Sequence, residues 1–298
     1  MVDNADDVLD KYKEAGRIAA SVREHSRQLV KPGARLIDIA EMIEKRIMDS
    51  GAEPAFPVNI SLNDAAAHDT AGKGDSRTIT DNDIVKIDIG VHVDGYVGDT
   101  AYTAAWRPDL IRLIKTAEKA LEAAIGLCTP GQNLGIISEA IENTIRSEGL
   151  LPISNLAGHG LERYDLHAEP QVHNIFVKTN YVLRQNQVIA IEPFVTTASG
   201  AGRVKDSYDK KIFLLIAQKP VRTPAARVII KDVQKYNDLP FALRWLNQEG
   251  FGFQMGMKEL VDRGVLYEYP VLRETTGQPI AQAEHTIIVS EQPIVTTR

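Results

Sequence analysis

Two aspartates, Asp88 and Asp99, interrupt a stretch whose other residues are typical of a pair of buried β-strands. The stretch reads DIVKIDIGVHVDGYVGDT over residues 83–100. A carboxylate in a buried strand is costly unless a partner compensates its charge. The Asp94-Gly95 dipeptide predicts a two-residue hairpin turn, which would make the two aspartates diagonal cross-strand neighbours. Because bare carboxylates this close repel each other, we expect a shared divalent cation between them.

The rest of the chain offers further side chains of the kind that bind metal. They lie beside glycines or next to strand-like apolar runs: His159 and His167 in NLAGHGLERYDLHAEP, Glu192 in IAIEPF, and Glu284 in AQAEHTIIV. Carboxylates with imidazole suit Mn, Fe or Co and can also hold Zn, and a pair of such ions can activate water. Any one of these acids alone could be a solvated strand end, and a lone histidine could be structural. Four acids at the edges of apolar strands favour a metal site.

The composition is typical of a soluble globular protein. The chain has 298 residues, 44% apolar and 25% charged, with a formal net charge of −6 that argues against a nucleic-acid-binding surface. Cys128 is the single cysteine, so neither an intramolecular disulfide nor a thiolate zinc cluster is available. No apolar run approaches the roughly 20 residues that cross a membrane, and the segment MVDNADDVLDKYKEAG is unlike a signal peptide. We therefore expect a cytoplasmic protein.

An internal repeat indicates which elements position these side chains. VKPGARLIDIAEMIEKRIMDSG (30–51) and CTPGQNLGIISEAIENTIRSEG (128–149) match at a constant offset. In each copy a Pro-Gly loop precedes apolar residues at helical spacing, and Gly51 or Gly149 follows as a C-cap. Each half of the chain is therefore predicted to contain this amphipathic helix.

The repeat continues into the segments that hold the acids. NDIVKID, which ends at Asp88, resembles NQVIAIE, which ends at Glu192, and a histidine precedes each: His68 in DAAAHD and His159 in LAGHGLE. Each half thus reads as helix, helix, histidine-bearing segment and a strand ending in a carboxylate. We predict a duplication, with halves at about 8–110 and 111–217, packed about a pseudo-twofold axis that brings the acids together in one cleft.

With these residues in hand, the sequence resembles the methionine aminopeptidases, and within them the type II form found in archaea. KIDIGVHVDGYVGDTAYT resembles the Asp-bearing hairpin of the family, and the segments holding His159, Glu192 and Glu284 follow in the family's order. AFPVNISLNDAAAHDT resembles the segment with the family's substrate-facing histidine, here His68. The resemblance covers nearly the whole chain.

The resemblance implies an α/β (α+β) pita-bread fold with internal pseudo-twofold symmetry and a central antiparallel sheet. It implies one catalytic domain over residues 1–298, with the halves completed by 276–298. The long connection between Glu192 and Glu284 is typical of type II and contains a helical insertion at 220–275. Two helix-like pieces of the insertion, ARVIIKDVQKY and PFALRWLNQEG, resemble a winged-helix module. We expect the insertion to form a wall of the substrate cleft.

The resemblance also implies roles for the site residues. Two divalent metal ions (Co, Mn, Fe or Zn) would be held by Asp88, Asp99, His159, Glu192 and Glu284, and would activate a bridging water. The enzyme would remove the initiator methionine from chains whose second residue is small. Glu192 would also act as general base, His167 would hydrogen-bond the scissile carbonyl, and His68 would contact the nitrogen side. Phe56 and Leu166 would line the methionine pocket, because a thioether packs well against an aromatic ring.

The expected partners are the N-termini of nascent polypeptides, with association with the ribosome left open, and neither a membrane nor a nucleic acid. A monomer is expected. Two other readings stay open. A proline-specific peptidase such as prolidase shares the fold but usually carries an additional N-terminal domain, whereas only 67 residues precede His68 here. A non-catalytic relative that binds RNA or protein would be expected to lose metal ligands, and this chain keeps all five.

Overall fold

A computed structural model describes residues 5–298. Residues 1–4, which belong to the predicted domain and to its polar N-terminal segment, lie outside the described residues. The helices are α1 (Ala5–Ser26), α2 (Leu36–Asp49), α3 (Pro108–Ile125), α4 (Leu134–Ser147), α5 (Pro224–Val233) and α6 (Phe251–Asp262), with 3-10 turns at Gln234–Tyr236 and Leu243–Trp245. None of the helices in the described part of the chain is both long and apolar enough to cross a membrane.

Short strands make up the rest of the regular structure. They are β1 (Glu53–Pro54), β2 (Asn59–Leu62), β3 (Ala65–Ala67), β4 (Ile84–Val93), β5 (Tyr96–Ala105), β6 (Leu151–Pro152), β7 (Ala157–Glu162), β8 (Asp165–His173), β9 (Val188–Ile191), β10 (Phe194–Thr196), β11 (Val204–Leu215), β12 (Phe241–Ala242), β13 (Leu266–Glu274), β14 (Ile280–Gln282), β15 (His285–Ile288) and β16 (Ile294–Val295). The predicted mixture of helix and strand is confirmed.

The strands form four antiparallel groups. Strand β4 pairs with β1, β2 and β5, while a second group runs in the order β16-β15-β9-β7-β8. The remaining two run β14-β10-β6 and β12-β11-β13-β3. The first two groups meet where Ala101 and Glu284 exchange backbone hydrogen bonds. This junction places the first hairpin beside the strands of the second half.

The two predicted amphipathic helices are present at the predicted places. Helices α2 and α4 bury their apolar residues at equivalent positions of the repeat: Leu36, Ile39, Ile43 and Ile47 in one, and Leu134, Ile137, Ile141 and Ile145 in the other. Each packs into one of the two largest hydrophobic cores. Gly51 (φ 81°) and Gly149 (φ 68°) follow the helices in the left-handed conformation, which glycine adopts without the steric cost of a Cβ.

The hairpin prediction is confirmed, with one correction. Asp94 (φ 51°) and Gly95 (φ 87°) form the turn between β4 and β5, and Asp99 lies opposite Gly90, so Asp88 is its diagonal neighbour. However, Asp88 lies in the middle of β4 and does not end the strand as predicted. The ladder continues past it because β5 pairs with β4 along its full length.

One helix-like piece of the insertion is not a helix. ARVIIKDVQKY corresponds to α5 and its 3-10 turn, as predicted, whereas PFALRWLNQEG contains only β12 and the turn at Leu243–Trp245. Its residues instead make tertiary contacts: Phe241 pairs with Phe213 of β11, and the side chains of Arg244 and Trp245 bind Glu44. Tertiary contacts outweigh the local helical pattern there.

Candidate metal-binding and peptidase site

A cavity of about 190 Å³ is lined by residues of β4, β5, β7 and β8 and of the segments next to them. Its wall contains every residue that the sequence predicted for the site: Phe56, His68, Asp88, Asp99, His159, Leu166, His167, Glu192 and Glu284. These residues lie far apart along the chain, on or beside seven different strands. The fold therefore brings the whole predicted set into one place.

Asp88 and Asp99 reach the cavity from neighbouring strands of the first hairpin. Asp99 is 3% exposed, and Asp88 is partly exposed to the cavity. The Oδ1 atom of each is buried and has no hydrogen-bond donor among the described residues. Burial and the neighbouring carboxylate of Asp88 raise the pKa of Asp99. Buried acceptors without donors are rare and costly, so these oxygens favour a cation.

His159 contributes a ring nitrogen to the same spot. It lies in β7 opposite Ala190 of β9, within a strand and not in a glycine-rich loop. Its Nδ1 is 3.2 Å from the carbonyl oxygen of Gly160, so this nitrogen carries the proton and donates to that oxygen. The other nitrogen, Nε2, then has a free lone pair and lies 3.9 Å from Oδ2 of Asp99. A backbone partner that fixes the tautomer in this way is typical of a metal-binding histidine.

The glycines on either side of His159 allow the strands to pack closely. A Cβ on Gly158 would lie 2.3 Å from the carbonyl oxygen of Ala190, and one on Gly160 would lie 2.2 Å from that of Glu169. Both contacts are with backbone atoms, which cannot move aside. The glycines therefore set the position of β7, and with it the position of the His159 ring.

Glu192 and Glu284 approach from the second half and share a donor. Glu192 follows the last residue of β9, and Glu284 precedes β15 and is 2% exposed. The side-chain amide nitrogen of Gln282 donates to Oε2 of Glu192 (3.2 Å) and lies 3.4 Å from Oε2 of Glu284. Gln282 itself is buried and held by backbone hydrogen bonds to the Thr103 hydroxyl. The two carboxylates are thus oriented towards the cavity by one amide.

The residues present fit a divalent metal ion. Ligand atoms of Asp99, His159 and Glu284 all lie within 4.8 Å of one another. Burial raises the pKa of Asp88 to about 7, and burial together with mutual repulsion raises the pKa of the other three carboxyl groups. Burial lowers the pKa of His159 to about 3, which keeps its ring neutral and able to bind metal. A bound divalent cation would compensate the charge of these four carboxylates and let them ionise together.

His68 and His167 line the same cavity but are not among the grouped ligand atoms. The rings of His159 and His167 meet edge to face at 4.8 Å, and Tyr269 contacts His68 at 5.1 Å and His167 at 6.2 Å. Nδ1 of His68 lies 3.2 Å from the carbonyl oxygen of Pro270. Burial lowers the pKa of His68 to about 4, with a further contribution from His167. The single proton of the neutral ring is therefore on Nδ1, which donates to that carbonyl, and Nε2 can only accept a hydrogen bond.

The remaining wall of the cavity is apolar. Phe56 and Leu166 contribute to it, as predicted, and Tyr269 and further apolar side chains complete it: Leu156, Phe194, Ile212, Pro240 and Leu272. The Phe56 ring lies directly over Gly90, where a Cβ would come within 2.2 Å of the ring. The glycine opposite Asp99 thus makes room for an aromatic ring beside the acids.

Three polar or aromatic residues of the site were not found in the sequence: Asn59, Tyr269 and Gln282. Gln282 lies two residues before Glu284, so strand alternation could have predicted that both share a face. Asn59 and Tyr269 have no local signal, because their positions depend on how β2 pairs with β4 and β13 with β11. No local sequence pattern predicts which strands pair in these two cases.

Comparison with known proteins decides the family. Residues 10–219 match metallopeptidase family M24. The chain belongs to this family. It is similar to the methionine aminopeptidase of Pyrococcus horikoshii, with 45% identity over 97% of this chain and 99% of that protein. Members of the M24 family are metallopeptidases, which agrees with the acid cluster and its fit to a divalent ion.

Solved structures support the fold. A thermophilic Arx1 superimposes with a TM-score of 0.87 at 21% identity, covering 97% of this chain and 90% of that one. The methionine aminopeptidase of Thermotoga maritima superimposes with a TM-score of 0.72 at 22% identity, covering 100% of this chain and 99% of that one. At these identities the likeness concerns the fold alone, and it confirms the predicted pita-bread fold of this M24 chain.

Proposed function

We infer that this M24 chain is a methionine aminopeptidase, which hydrolyses the N-terminal methionine from polypeptides. The observation that carries this function is a group of four carboxylates and one neutral imidazole that line one cavity with apolar side chains. Two of these carboxylates have a buried oxygen without a hydrogen-bond donor among the described residues. The similarity to methionine aminopeptidases over nearly the whole chain supports the same activity. We propose that two metal ions are bound and that substrates with a small second residue are preferred.

The proposed ligands are those that face the acid cluster: Asp88, Asp99, His159, Glu192 and Glu284. Divalent ions in such a site act as Lewis acids and lower the pKa of a bound water towards 7. Glu192 is the proposed proton carrier, because its carboxylate ends β9 at the cavity and is held there by Gln282. It takes the proton of the attacking water and delivers it to the departing amine.

His68 and His167, which line the same cavity as the acids, are proposed to bind the scissile peptide group. His167 donates a hydrogen bond to the carbonyl oxygen, where negative charge develops in the transition state. His68 contacts the nitrogen side and orients the second residue. Tyr269 lies against both rings and holds them at a fixed separation. Phe56 and Leu166 are proposed to pack against the methionine side chain, together with the apolar wall that the structure adds.

We also propose a division of the chain and a setting for the reaction. One catalytic domain contains two related halves, at about 8–110 and 111–217, which 276–298 completes. The insertion at 220–275 forms a hydrophobic core together with Phe213 of β11, and its Pro240 contributes to the cavity wall. A monomer acting in the cytoplasm on nascent chains, free or at the ribosome, is the proposed form.

The proposed activity is tested by the release of free methionine from short peptides. Chelated protein is given back Co, Mn, Fe or Zn separately and is offered Met-Gly-Met-type peptides and Xaa-Pro dipeptides. Release from the first substrate and none from the second is expected. Cleavage of Xaa-Pro would assign the chain to the proline-specific peptidases, and absence of both activities with every metal would contradict an enzymatic function.

A variant separates substrate contacts from metal binding. His68→Ala is expected to lower turnover by about a hundredfold while the metal content, measured by elemental analysis, stays that of the wild type. Loss of metal from the variant would refute the assigned role of His68. Val93→Ala, at the end of β4 beside the hairpin turn and outside the cavity lining, is the control for general effects of substitution.

A further inference from the structure

Asn59 is a polar residue of the cavity that has no assigned role. It begins β2 and lies directly opposite Asp88 of β4 in the antiparallel pair. Opposite residues in such a pair point to the same face of the sheet, with Cβ atoms about 5 Å apart. The residue is 5% exposed, and it lines the cavity beside the proposed metal ligands.

The hydrogen bonds of Asn59 settle which way its side-chain amide points. The nitrogen Nδ2 donates to the carbonyl oxygen of Pro57 at 2.8 Å. A carbonyl oxygen can only accept, so this contact must be made by the amide nitrogen and not by the amide oxygen. The oxygen Oδ1 is therefore the other atom of the amide, and it is buried without any hydrogen-bond donor in the described part of the chain. Asp88 Oδ1, on the opposite strand position, is in the same state.

An orphan acceptor in a substrate cavity needs a donor that the bound substrate brings. The methionine side chain has no hydrogen-bond donor, since a thioether is only a weak acceptor. The free amino group of an N-terminal methionine does have N–H groups, and an aminopeptidase must place that group beside its metal ligands. Asn59 lies directly opposite Asp88 and lines the same cavity, so its side chain is next to the region where this amino group must lie.

We propose that Asn59 Oδ1 accepts a hydrogen bond from the substrate's free α-amino group. This inference rests on the proposed aminopeptidase function and adds a residue that recognises the chain end. It also gives a physical reason for a buried amide whose oxygen has no hydrogen-bond donor among the described residues. An internal peptide bond has one N–H group and no free amine, so it cannot make this contact from the same position.

The contact is tested by a thermodynamic cycle in which the amino group of the ligand and the side-chain amide of Asn59 are each removed in turn. Two ligands are compared on metal-loaded protein by calorimetry: methionine amide, which has the amino group, and 4-(methylthio)butanamide, which lacks it. The wild type is expected to bind the first ligand more tightly. In Asn59→Leu, which has a similar size and no acceptor, the ratio of the two affinities is expected to shrink by about tenfold.

Two control variants make the result specific. Ser61→Ala removes another buried hydroxyl without a partner on the same face of β2, away from the cavity, and is expected to leave the ratio unchanged. Asn59→Asp keeps an acceptor oxygen at the same place and is expected to keep most of the preference for the amine. If these two variants shrink the ratio as much as Asn59→Leu does, the contact is not with Asn59 Oδ1.

The remaining outcomes separate this inference from the function on which it rests. If Asn59→Leu weakens both ligands equally, Asn59 only shapes the pocket and the inference is overturned. If the variant loses metal, Oδ1 is a metal ligand and the inference is equally overturned. If the wild type itself does not prefer the amine-bearing ligand, the proposed aminopeptidase function fails first.

Discussion

Acidic side chains are buried both in the cavity and beside helix α2, and the two places compensate their charge in opposite ways. In the cavity, Asp88 and Asp99 each have a buried oxygen without a donor. Outside the cavity, Glu44 of α2 is 5% exposed, yet both of its oxygens are occupied. Oε1 accepts from the backbone N–H of Val58 at 3.1 Å and from Arg244, and Oε2 accepts from the indole of Trp245 at 2.8 Å.

The Glu44 cluster joins segments that form the cavity wall. Arg244 also donates to the Thr70 hydroxyl (2.7 Å) and to the carbonyl oxygen of Ala71 (2.9 Å). These contacts tie together the segment after His68, the segment after Phe56 and the insertion that holds Pro240. All the charge in this cluster is balanced by residues of the protein itself, so its role is structural.

The contrast shows how a functional acid differs from a structural one. Both kinds are buried, and burial raises the pKa of Glu44 as it does that of Asp88. The difference is that Glu44 has Arg244 as a built-in counter-charge, whereas the cavity acids face mainly one another. A set of buried acids without protein cations needs an ion from solution, and the proposed metals supply it.

The largest expected effect comes from removing a cavity acid. Glu284→Gln keeps the size of the side chain and removes one proposed ligand, so methionine release is expected to fall by at least about a thousandfold, roughly 4 kcal/mol of transition-state stabilisation. The metal content should fall with it. Meanwhile the metal-free variant should be as stable as the metal-free wild type or more so, because one buried like charge is gone.

The surface variant Glu249→Gln is the control, because Glu249 is exposed and its ion pair is with Lys73 on the surface. It should leave activity, metal content and stability unchanged. A Glu284→Gln protein that keeps its metal and its activity would contradict the assignment of the cavity acids.

Removing the counter-charge at the structural cluster should act on stability instead. Arg244→Met leaves Glu44 buried and unpaired, which is expected to lower the free energy of unfolding by about 3–5 kcal/mol, measured by denaturant titration. Metal content at low temperature should stay that of the wild type. The double variant Glu44→Leu with Arg244→Met should recover most of the loss, since no charge is then left unpaired. If the single variant is as stable as the wild type, the cluster is not the structural counterpart described above.

The smallest expected effect is a pH dependence of metal stabilisation. A carboxyl group whose pKa is raised in the folded protein adds stability below its unfolded pKa, and this stability is lost as the pH rises through the folded value. For Asp88 the window runs from about 4 to about 7. The metal-free protein should therefore lose stability across this range, while bound metal replaces the protons.

Thermal unfolding at pH 5 and pH 8, with and without metal, measures this difference. The rise in melting temperature on adding metal is expected to be at least about 4 °C larger at pH 8. His159 has the opposite effect on the stability of the metal-free protein. Burial lowers its pKa to about 3, so its neutral ring in the folded state costs stability as the pH falls below the unfolded pKa. A metal effect that is equal at both pH values would mean that the cavity acids do not change protonation.

The sequence predicts the metal-binding side of the cavity better than the substrate side. Asp88, Asp99 and Glu192 are visible because each stands where an apolar strand would have an apolar residue, and the Asp94-Gly95 turn sets the register of the first pair. The repeat of α2 and α4 is equally visible, since helical spacing and the following glycine are local signals. These features depend on residues close together in the chain.

The parts that the sequence does not predict depend on distant contacts. PFALRWLNQEG has a helical pattern, but Arg244 and Trp245 are drawn to Glu44 across the molecule and the segment stays irregular. Asn59 has no motif of its own, and only its pairing with Asp88 gives it a place in the cavity. Tyr269 likewise reaches the histidines only because β13 pairs with β11.

The most direct test of the central claim is anomalous diffraction from crystals grown with a manganese salt. The account predicts two strong anomalous peaks in the cavity, about 3.5–4 Å apart, surrounded by the five ligands that the sequence and the fold bring together. Peaks only at the molecular surface, with the four carboxylates still unliganded, would contradict it.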